Sequence, residues 1–157
     1  MLIAAVVLAI AGGGAVAWQL TSPSGRTAAT AAAKAAETPA AGDTLTFAAA
    51  DFADGKAHHY SHQTPDGLTV RFFVVKSSDG VIRAAFDACD VCWRAGLGYT
   101  QSGDDMVCNN CGRHFASVQV NEVQGGCNPA PLTRTLAGDR VTIKVSDVLE
   151  GRRYFNL

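Results

Sequence analysis

The 157-residue sequence predicts an α+β fold that is mainly β, in which a small sheet frames a loop region rich in cysteine. Short β-branched and aromatic runs, separated by Gly, Ser and Asp, recur from residue 43 onward. Five cysteines fall between residues 89 and 127. Composition divides the chain into an apolar segment (1–20), a linker (21–42) and one globular domain (43–157).

The apolar segment contains no charged residue from Leu2 to Trp18, which predicts an N-terminal helix. Two interpretations remain open. Ala15-Val16-Ala17 is typical of a signal-peptidase site, whereas a retained membrane anchor would place Trp18 at the interface. The following linker is rich in Ala, Thr, Ser and Pro. It has too few large apolar side chains to fold alone, so we expect a flexible tether.

Within the domain, the strongest strand signal is Leu68–Lys76, which is β-branched and aromatic. A turn at Ser77–Gly80 predicts a hairpin with the next strand, and Ala137–Asp139 predicts another hairpin turn. Ser146 or Asp147 is expected to cap a final short helix that runs through Arg152. The region 87–128 is expected to consist mainly of loops. The predicted strands are 43–47, 56–63, 68–76, 81–86, 115–120, 132–136 and 140–145.

The cysteine pattern is two CxxC pairs, Cys89/Cys92 and Cys108/Cys111, followed by Cys127, with 15 residues in each gap. Two residues between thiols let both sulfurs face one ion while backbone N–H groups stabilise the thiolate charge. Four thiolates suit tetrahedral zinc or iron, or an iron-sulfur cluster. The pattern therefore predicts a metal site, with the metal left open.

Two other interpretations of the cysteines compete with iron. A structural zinc ribbon would use the four CxxC thiols and leave Cys127 as a redox-active thiol or a small buried apolar residue. A thiol oxidoreductase or metallochaperone would use Cys127 or one CxxC pair; for an oxidoreductase, Cys89 follows a strand and precedes a possible short helix at Asp90–Arg94. The oxidoreductase hypothesis does not explain the second CxxC pair.

The run from Ala84 to Leu132 resembles the FtrD-like membrane iron-sulfur domain family. The matching pieces are FDACDVC, GYTQSGDDMVCNNCG, Phe115 and GGCNPAPL, and the likeness covers about Leu68–Phe155. The resemblance implies Cys89, Cys92, Cys108, Cys111 and Cys127 as ligands of an iron-sulfur cluster. It also implies a membrane anchor, a domain facing the periplasm or cell exterior, and an electron-transfer role beside an iron permease or a periplasmic redox partner. With one apolar segment, the chain is not expected to transport iron itself.

Four histidines offer alternative ligands. His58 and His62 would share one face of a strand with Tyr60, but no carboxylate lies at matching positions, so a solvent-facing strand is the simpler interpretation. His114 lies three residues after Cys111 and would ligate a metal or hydrogen-bond a thiolate, although an ordinary strand position explains it as well.

Acidic and aromatic residues lie around the cysteines. Asp87 and Asp90 either support the site or cap turns, and Asp104-Asp105 is expected to form a solvated hairpin turn. Trp93 and Tyr99 either shield the site from water or simply fill the core.

The remaining composition excludes several function classes. The net charge is -1 and there is no basic run, so nucleic acid is not an expected partner. No Ser-His-Asp order, phosphate loop or paired carboxylates support hydrolysis. A metal-binding or electron-transfer protein is therefore a better hypothesis than an enzyme.

Overall fold

The computed structural model describes residues 42–157, so the apolar segment and nearly all of the linker lie outside the described residues. Three antiparallel sheets of three strands each make up this part of the chain. Among these residues, no helix is both long enough and apolar enough to span a bilayer. The predicted class, mainly β with one short helix and a cysteine cluster, is confirmed for the described domain.

The first sheet joins the two ends of the domain. Its strands are β1 (Thr44–Ala48), β8 (Thr135–Ala137) and β9 (Arg140–Lys144), with β9 in the middle. Leu45 of β1 lies opposite Ile143 of β9, and both side chains are buried. The alternation of apolar and polar residues in β1 and β9 therefore matches a sheet with one buried face.

The central sheet has the order β2 (His58–Gln63), β3 (Thr69–Lys76) and β4 (Ile82–Phe86). The hairpin β3–β4 turns at Ser77–Gly80, as the sequence predicts, and Gly80 has a positive φ of 84°. Side chains on both faces of β3 are buried, which explains its nearly continuous apolar sequence. The central sheet is therefore packed on both sides.

The third sheet lies in region 87–128, which consists mainly of turns and irregular segments, as expected, but also contains three short strands that were not all predicted. Its strands are β5 (Tyr99–Ser102), β6 (Asp105–Cys108) and β7 (His114–Ala116). Each strand has only three or four residues and carries many polar side chains, so the period-2 apolar signal is weak. The expected strand 115–120 stops at Ala116, and the 3₁₀ turn Ser117–Gln119 follows.

Two separate apolar cores fill the space on either side of the central sheet. The first core is purely apolar and joins the central sheet to the first sheet and to the C-terminal segment. The second core joins the central sheet to the third sheet and includes two cysteines, Cys89 and Cys108. Adjacent residues of β3 alternate between them: Val74 belongs to the first core and Val75 to the second.

The chain ends in helix α1 (Val145–Glu150), continued by the 3₁₀ turn Gly151–Tyr154. The predicted cap is wrong, because Lys144 occupies the N-cap position and no side chain bonds the free amides there. Val148 is fully buried, so packing on the first core holds this short helix in place.

The turn between β5 and β6 is more than a solvated hairpin tip. The Asp104 carboxylate accepts hydrogen bonds from Ser78 Oγ at 2.7 Å and Ser117 Oγ at 2.5 Å. These bonds lower the pKa of Asp104, with the Ser117 bond the larger cause. They tie the tip of the β5–β6 hairpin to the β3–β4 turn, at the end of these strands away from the cysteines.

Candidate metal centre

The first cysteine loop leaves the central sheet at the end of β4. Cys89 lies three residues after Phe86 and is 1% exposed. The backbone N–H of Cys92 donates to Cys89 Sγ at 3.1 Å, which folds the CxxC segment back on itself. A 3₁₀ turn of three residues, Trp93–Ala95, follows, rather than the α-helix that a thioredoxin-type site requires.

The second cysteine loop connects β6 to β7. Cys108 is the last residue of β6 and is buried, whereas Cys111 at the turn is exposed. The Gly112 amide donates to the Cys108 carbonyl at 2.8 Å, and Gly112 has a φ of 70°. The turn directs the amides of Asn110 and Cys111 toward the Cys108 sulfur. This is the amide–thiolate geometry that the CxxC spacing predicts.

The third cysteine loop carries Cys127 between Gly126 and Asn128. Gly125 and Gly126 both have positive φ values, 85° and 63°, which explains the paired glycines at this tight turn. The loop returns to the end of β4 through hydrogen bonds from Ala130 N to Ala88 O and from Phe86 N to Ala130 O. These bonds hold the end of the third loop beside the first loop, and Cys127 lies close to Cys92.

The sulfur atoms from the three loops converge. Cys89, Cys92 and Cys127 form one group, and Cys92, Cys108 and Cys111 form another; in each group the sulfurs lie within 4.8 Å of one another. Cys92 belongs to both groups, and its Sγ lies 3.8 Å from Cys127 Sγ. All five thiols are free. We call this arrangement the sulfur cluster.

The thiols of the second loop differ in acidity. Burial raises the pKa of Cys108 to about 11, although neighbouring amides act in the opposite direction. The Arg113 amide donates to the exposed Cys111 sulfur and lowers its pKa to about 7. Burial also raises the pKa of Cys127. A bound metal ion would stabilise all of these sulfurs as thiolates, because thiolate is the form that binds metals.

The donor set fits a thiophilic metal. In the described residues, the close groups of potential ligands consist of cysteine only, with no carboxylate or histidine among them. Soft sulfur donors favour zinc, copper(I) and iron-sulfur chemistry over magnesium or calcium. Cys89 and Cys108 are removed from water, and Cys111 lies at the surface. The cluster is thus buried on one side and accessible on the other.

Tyr99 and Asp87 connect the loops. The Tyr99 hydroxyl donates to the Cys127 carbonyl at 2.5 Å, and the Tyr99 amide donates to Asp87 Oδ1 at 2.7 Å. Burial raises the pKa of both side chains. A Cβ on Gly98 would lie 2.3 Å from Asp87 Oδ2, so only glycine fits beside this carboxylate. Asp87 therefore anchors the strand entering the second loop.

Other candidates from the sequence lie outside the cluster. Asp90 accepts a hydrogen bond from the Tyr154 hydroxyl at 2.6 Å, which ties the first loop to the C-terminal segment. Trp93 packs against the first core, with the Arg94 guanidinium 4.9 Å from its ring centroid. Both residues support the loop from outside.

The histidines also lie outside the sulfur groups. His58 Nε2 lies 3.1 Å from Asp54 Oδ1, and His114 Nδ1 lies 3.1 Å from Asp105 Oδ2. His59 Nδ1 approaches Asp87 Oδ1 at 4.0 Å. None of them belongs to the close sulfur groups among residues 42–157, and His58 and His62 lie on the half-buried face of β2 rather than on a solvent-facing one.

Two asparagines have side-chain contacts that were not predicted from sequence, although Asn110 was expected to permit the turn of the second loop. The Asn110 side chain hydrogen-bonds the Cys92 sulfur and acts to lower the pKa of that thiol, although burial and the neighbouring Cys127 thiol raise this pKa overall. Asn121 has a positive φ of 71°, and its amide bonds both backbone groups of Leu132 at 3.2 Å, closing the third loop. The signal available in the sequence was Asn121, which lies between Cys111 and Cys127, because asparagine tolerates a positive φ better than most residues do.

A sequence model of one protein family matches residues 52–155, two-thirds of the chain and all three cysteine loops. The family is described as membrane iron-sulfur containing protein FtrD-like. The chain belongs to this FtrD-like family. Comparisons with curated proteins and with solved structures give no match. Membership supports an iron-related, membrane-associated, metal-binding protein, and the sulfur cluster contains groups of thiols that could hold a metal.

Proposed function

We propose that this FtrD-like protein is a membrane-tethered, extracytoplasmic iron-sulfur protein that carries single electrons as an accessory of iron uptake or handling. The observation that carries the proposal is the sulfur cluster, in which thiols from three separate loops converge and Cys92 belongs to both close groups. Four of these sulfurs would satisfy either a zinc ion or an iron-sulfur cluster, and the family description supports the cluster; the fifth sulfur, in contact with Cys92, is one more than a structural zinc site uses.

The candidate ligands are Cys89, Cys92, Cys108, Cys111 and Cys127. When bound, an iron-sulfur cluster supplies one-electron oxidation and reduction at a potential that hydrogen bonds and solvent exposure adjust. Here the amides of Asn110 and Cys111 point toward the Cys108 sulfur and would stabilise negative charge on it. The burial of Cys89 and Cys108 keeps water from the inner side of the cluster.

The exposed thiol provides the route for electron exchange. Cys111 lies at the surface, while its partner Cys108 in the same CxxC turn is buried. A ligand that joins the protein surface to a buried centre shortens the distance to a docked redox partner. We propose that this partner is a membrane iron permease complex or a periplasmic redox protein.

The N-terminal part of the chain supports the membrane component of the proposal. Residues 1–20 are apolar and would anchor the chain, and residues 21–42 would hold the domain away from the bilayer. Membrane fractions from cells expressing the full chain test this component. We expect the protein to resist extraction by alkaline carbonate, and a variant with residues 1–20 replaced by a cleavable signal to become soluble. Carbonate release of the unaltered chain would contradict a retained anchor.

Anaerobic purification of the full chain tests the metal component. We expect brown protein with iron, acid-labile sulfide and visible absorption that bleaches reversibly on reduction. Colourless protein with one zinc ion per chain and no redox response would contradict the electron-transfer proposal and favour a structural zinc module.

A further inference from the structure

The third cysteine loop has few bonds to the rest of the domain. Asn121 and Leu132 close its neck, and Asn128 bonds back to Gly125 within the loop. Among the described residues, the Tyr99 hydroxyl makes the only nitrogen or oxygen hydrogen bond that reaches segment 124–129 from outside that segment. The Ala130 bonds hold the end of the loop, and the Tyr99 phenol is the hydrogen-bonding group that reaches Cys127 itself.

Tyr99 contacts all three cysteine loops at once. Its backbone lies directly opposite Cys108 in the β5–β6 register, at the base of the second loop. Its amide donates to Asp87, which precedes the first loop by two residues. Its hydroxyl donates to the Cys127 carbonyl of the third loop. No other residue of the described domain is joined to all three of these segments by hydrogen bonds or strand pairing.

Packing holds the Tyr99 ring rigidly. The residue is 4% exposed, and its ring centroid lies 6.4 Å from that of Phe73 and 6.3 Å from that of Phe115. A buried hydroxyl without a partner is costly, so the bond to Cys127 is strongly favoured once the ring is packed. Core packing alone accounts for a buried aromatic ring at this position. It does not account for the hydroxyl group, which donates a hydrogen bond to the third loop.

We propose that Tyr99 is the positioning residue that holds Cys127 against the CxxC thiols through its hydroxyl, so that the fifth sulfur joins the metal centre. The inference rests on the proposed function only in treating Cys127 as a ligand. The hydroxyl donates to the Cys127 carbonyl and lies beside the Cys89 sulfur, so it acts on the position of these sulfurs and takes no part in electron transfer.

The matched pair Tyr99→Phe and Tyr60→Phe tests the inference in the full chain. Tyr60 is a partly buried aromatic residue that packs against Phe47 and Phe72 beside the first core. In metal-free, reduced protein, we expect Tyr99→Phe to raise the iodoacetamide alkylation rate of Cys127 about fivefold relative to Cys111, as loss of one hydrogen bond implies. Tyr60→Phe should leave that ratio unchanged. Equal ratios in both variants would overturn the proposal.

The visible spectrum of the protein with its metal centre bound gives an independent test of the role of Tyr99. We expect Tyr99→Phe to change the visible spectrum in the same direction as Cys127→Ala, and the double variant to match Cys127→Ala alone. Additive changes would contradict a role acting through Cys127. Should Tyr99→Phe fail to fold, NMR of the unaltered chain decides: a slowly exchanging Tyr99 hydroxyl proton close to Cys127 is expected, and a rapidly exchanging one contradicts the proposal.

The two proposals fail in distinguishable ways. Zinc in place of iron and sulfide would contradict the electron-transfer function, yet the alkylation ratio in metal-free protein would still report on Tyr99. An unchanged ratio in an iron-sulfur protein would remove Tyr99 as the positioning residue and leave the function intact.

Discussion

The two faces of the central sheet pack against different apolar cores, and the core on the first face is the larger. The first core consists of aliphatic and aromatic side chains and connects to the short helix at the chain end. The second core contains Cys89 and Cys108, with Cys92 and Cys127 packed against it. The metal centre is therefore an extension of an apolar core, whose thiols also pack as small apolar groups.

The difference shows how a small domain holds a reactive site. The first core has few polar groups to satisfy, such as the Tyr154 hydroxyl, whereas the second has amides, a carboxylate and five thiols at its edge. Changes on the first face should alter stability alone. Changes on the second face should alter stability and metal binding together.

The largest effect is expected at the thiol shared by both sulfur groups. Cys92→Ser removes a ligand from each group, so we expect nearly all iron to be lost from the purified protein. Cys111→Ser removes the exposed thiol from one group only and should retain a measurable fraction. Metal analysis after anaerobic purification compares the two. Full iron content in Cys92→Ser would contradict the assignment of the sulfur cluster as the iron-binding site.

Two glycines flank strand β5, and comparing them separates the cost of backbone strain from the cost of steric overlap. Gly98 and Gly103 have similar φ values of 65° and 61°, but only Gly98 lies against Asp87. We expect Gly103→Ala to lower the free energy of unfolding by about 1 kcal/mol, from backbone strain. Gly98→Ala should lower it by about 3 kcal/mol, because strain and overlap combine. Denaturant unfolding measures both, and equal losses would contradict the close packing at Asp87.

Adjacent valines of β3 test the two cores directly. Val74 and Val75 are both fully buried, one in each core. Each Val→Ala change should cost about 2 kcal/mol of unfolding free energy, since each removes two buried methyl groups. Only Val75→Ala is expected to speed the release of iron to a chelator. Equal release rates in the two variants would show that the second core does not support the site.

The smallest effect concerns the two thiols of the second loop in metal-free protein. Cys111 has a pKa of about 7 and Cys108 a pKa of about 11. Because thiolate is the reactive form, alkylation of Cys111 should rise with pH through about 7 and then level off. Cys108 should react slowly until much higher pH. Mass spectrometry of each labelled cysteine measures the two profiles, and matching profiles would contradict the difference in burial.

Sequence reasoning predicted the parts of the fold with a regular apolar pattern. The β3 strand and its turn at Ser77–Gly80 followed directly from β-branched residues and turn residues. The third sheet was missed because its strands are short and lie between the cysteines and glycines that suggest loops. Propensity does not reveal strands whose stability comes from packing on a neighbouring sheet.

The candidate ligands were predictable, but their arrangement was not. CxxC spacing identifies pairs of thiols that can face one ion, and the structure brings all five into two groups that share Cys92. The contribution of Tyr99 depends on its strand register opposite Cys108 and on the path of a loop 28 residues away. Such contacts are long-range, so local sequence carries no signal for them.

X-ray absorption at the iron edge of the anaerobically purified full chain tests the central claim most directly. Sulfur from three loops should surround the metal, so the account predicts a first shell of sulfur only, together with iron–iron scattering from a cluster. A first shell containing nitrogen or oxygen from side chains, or a protein in which zinc replaces iron, would contradict it.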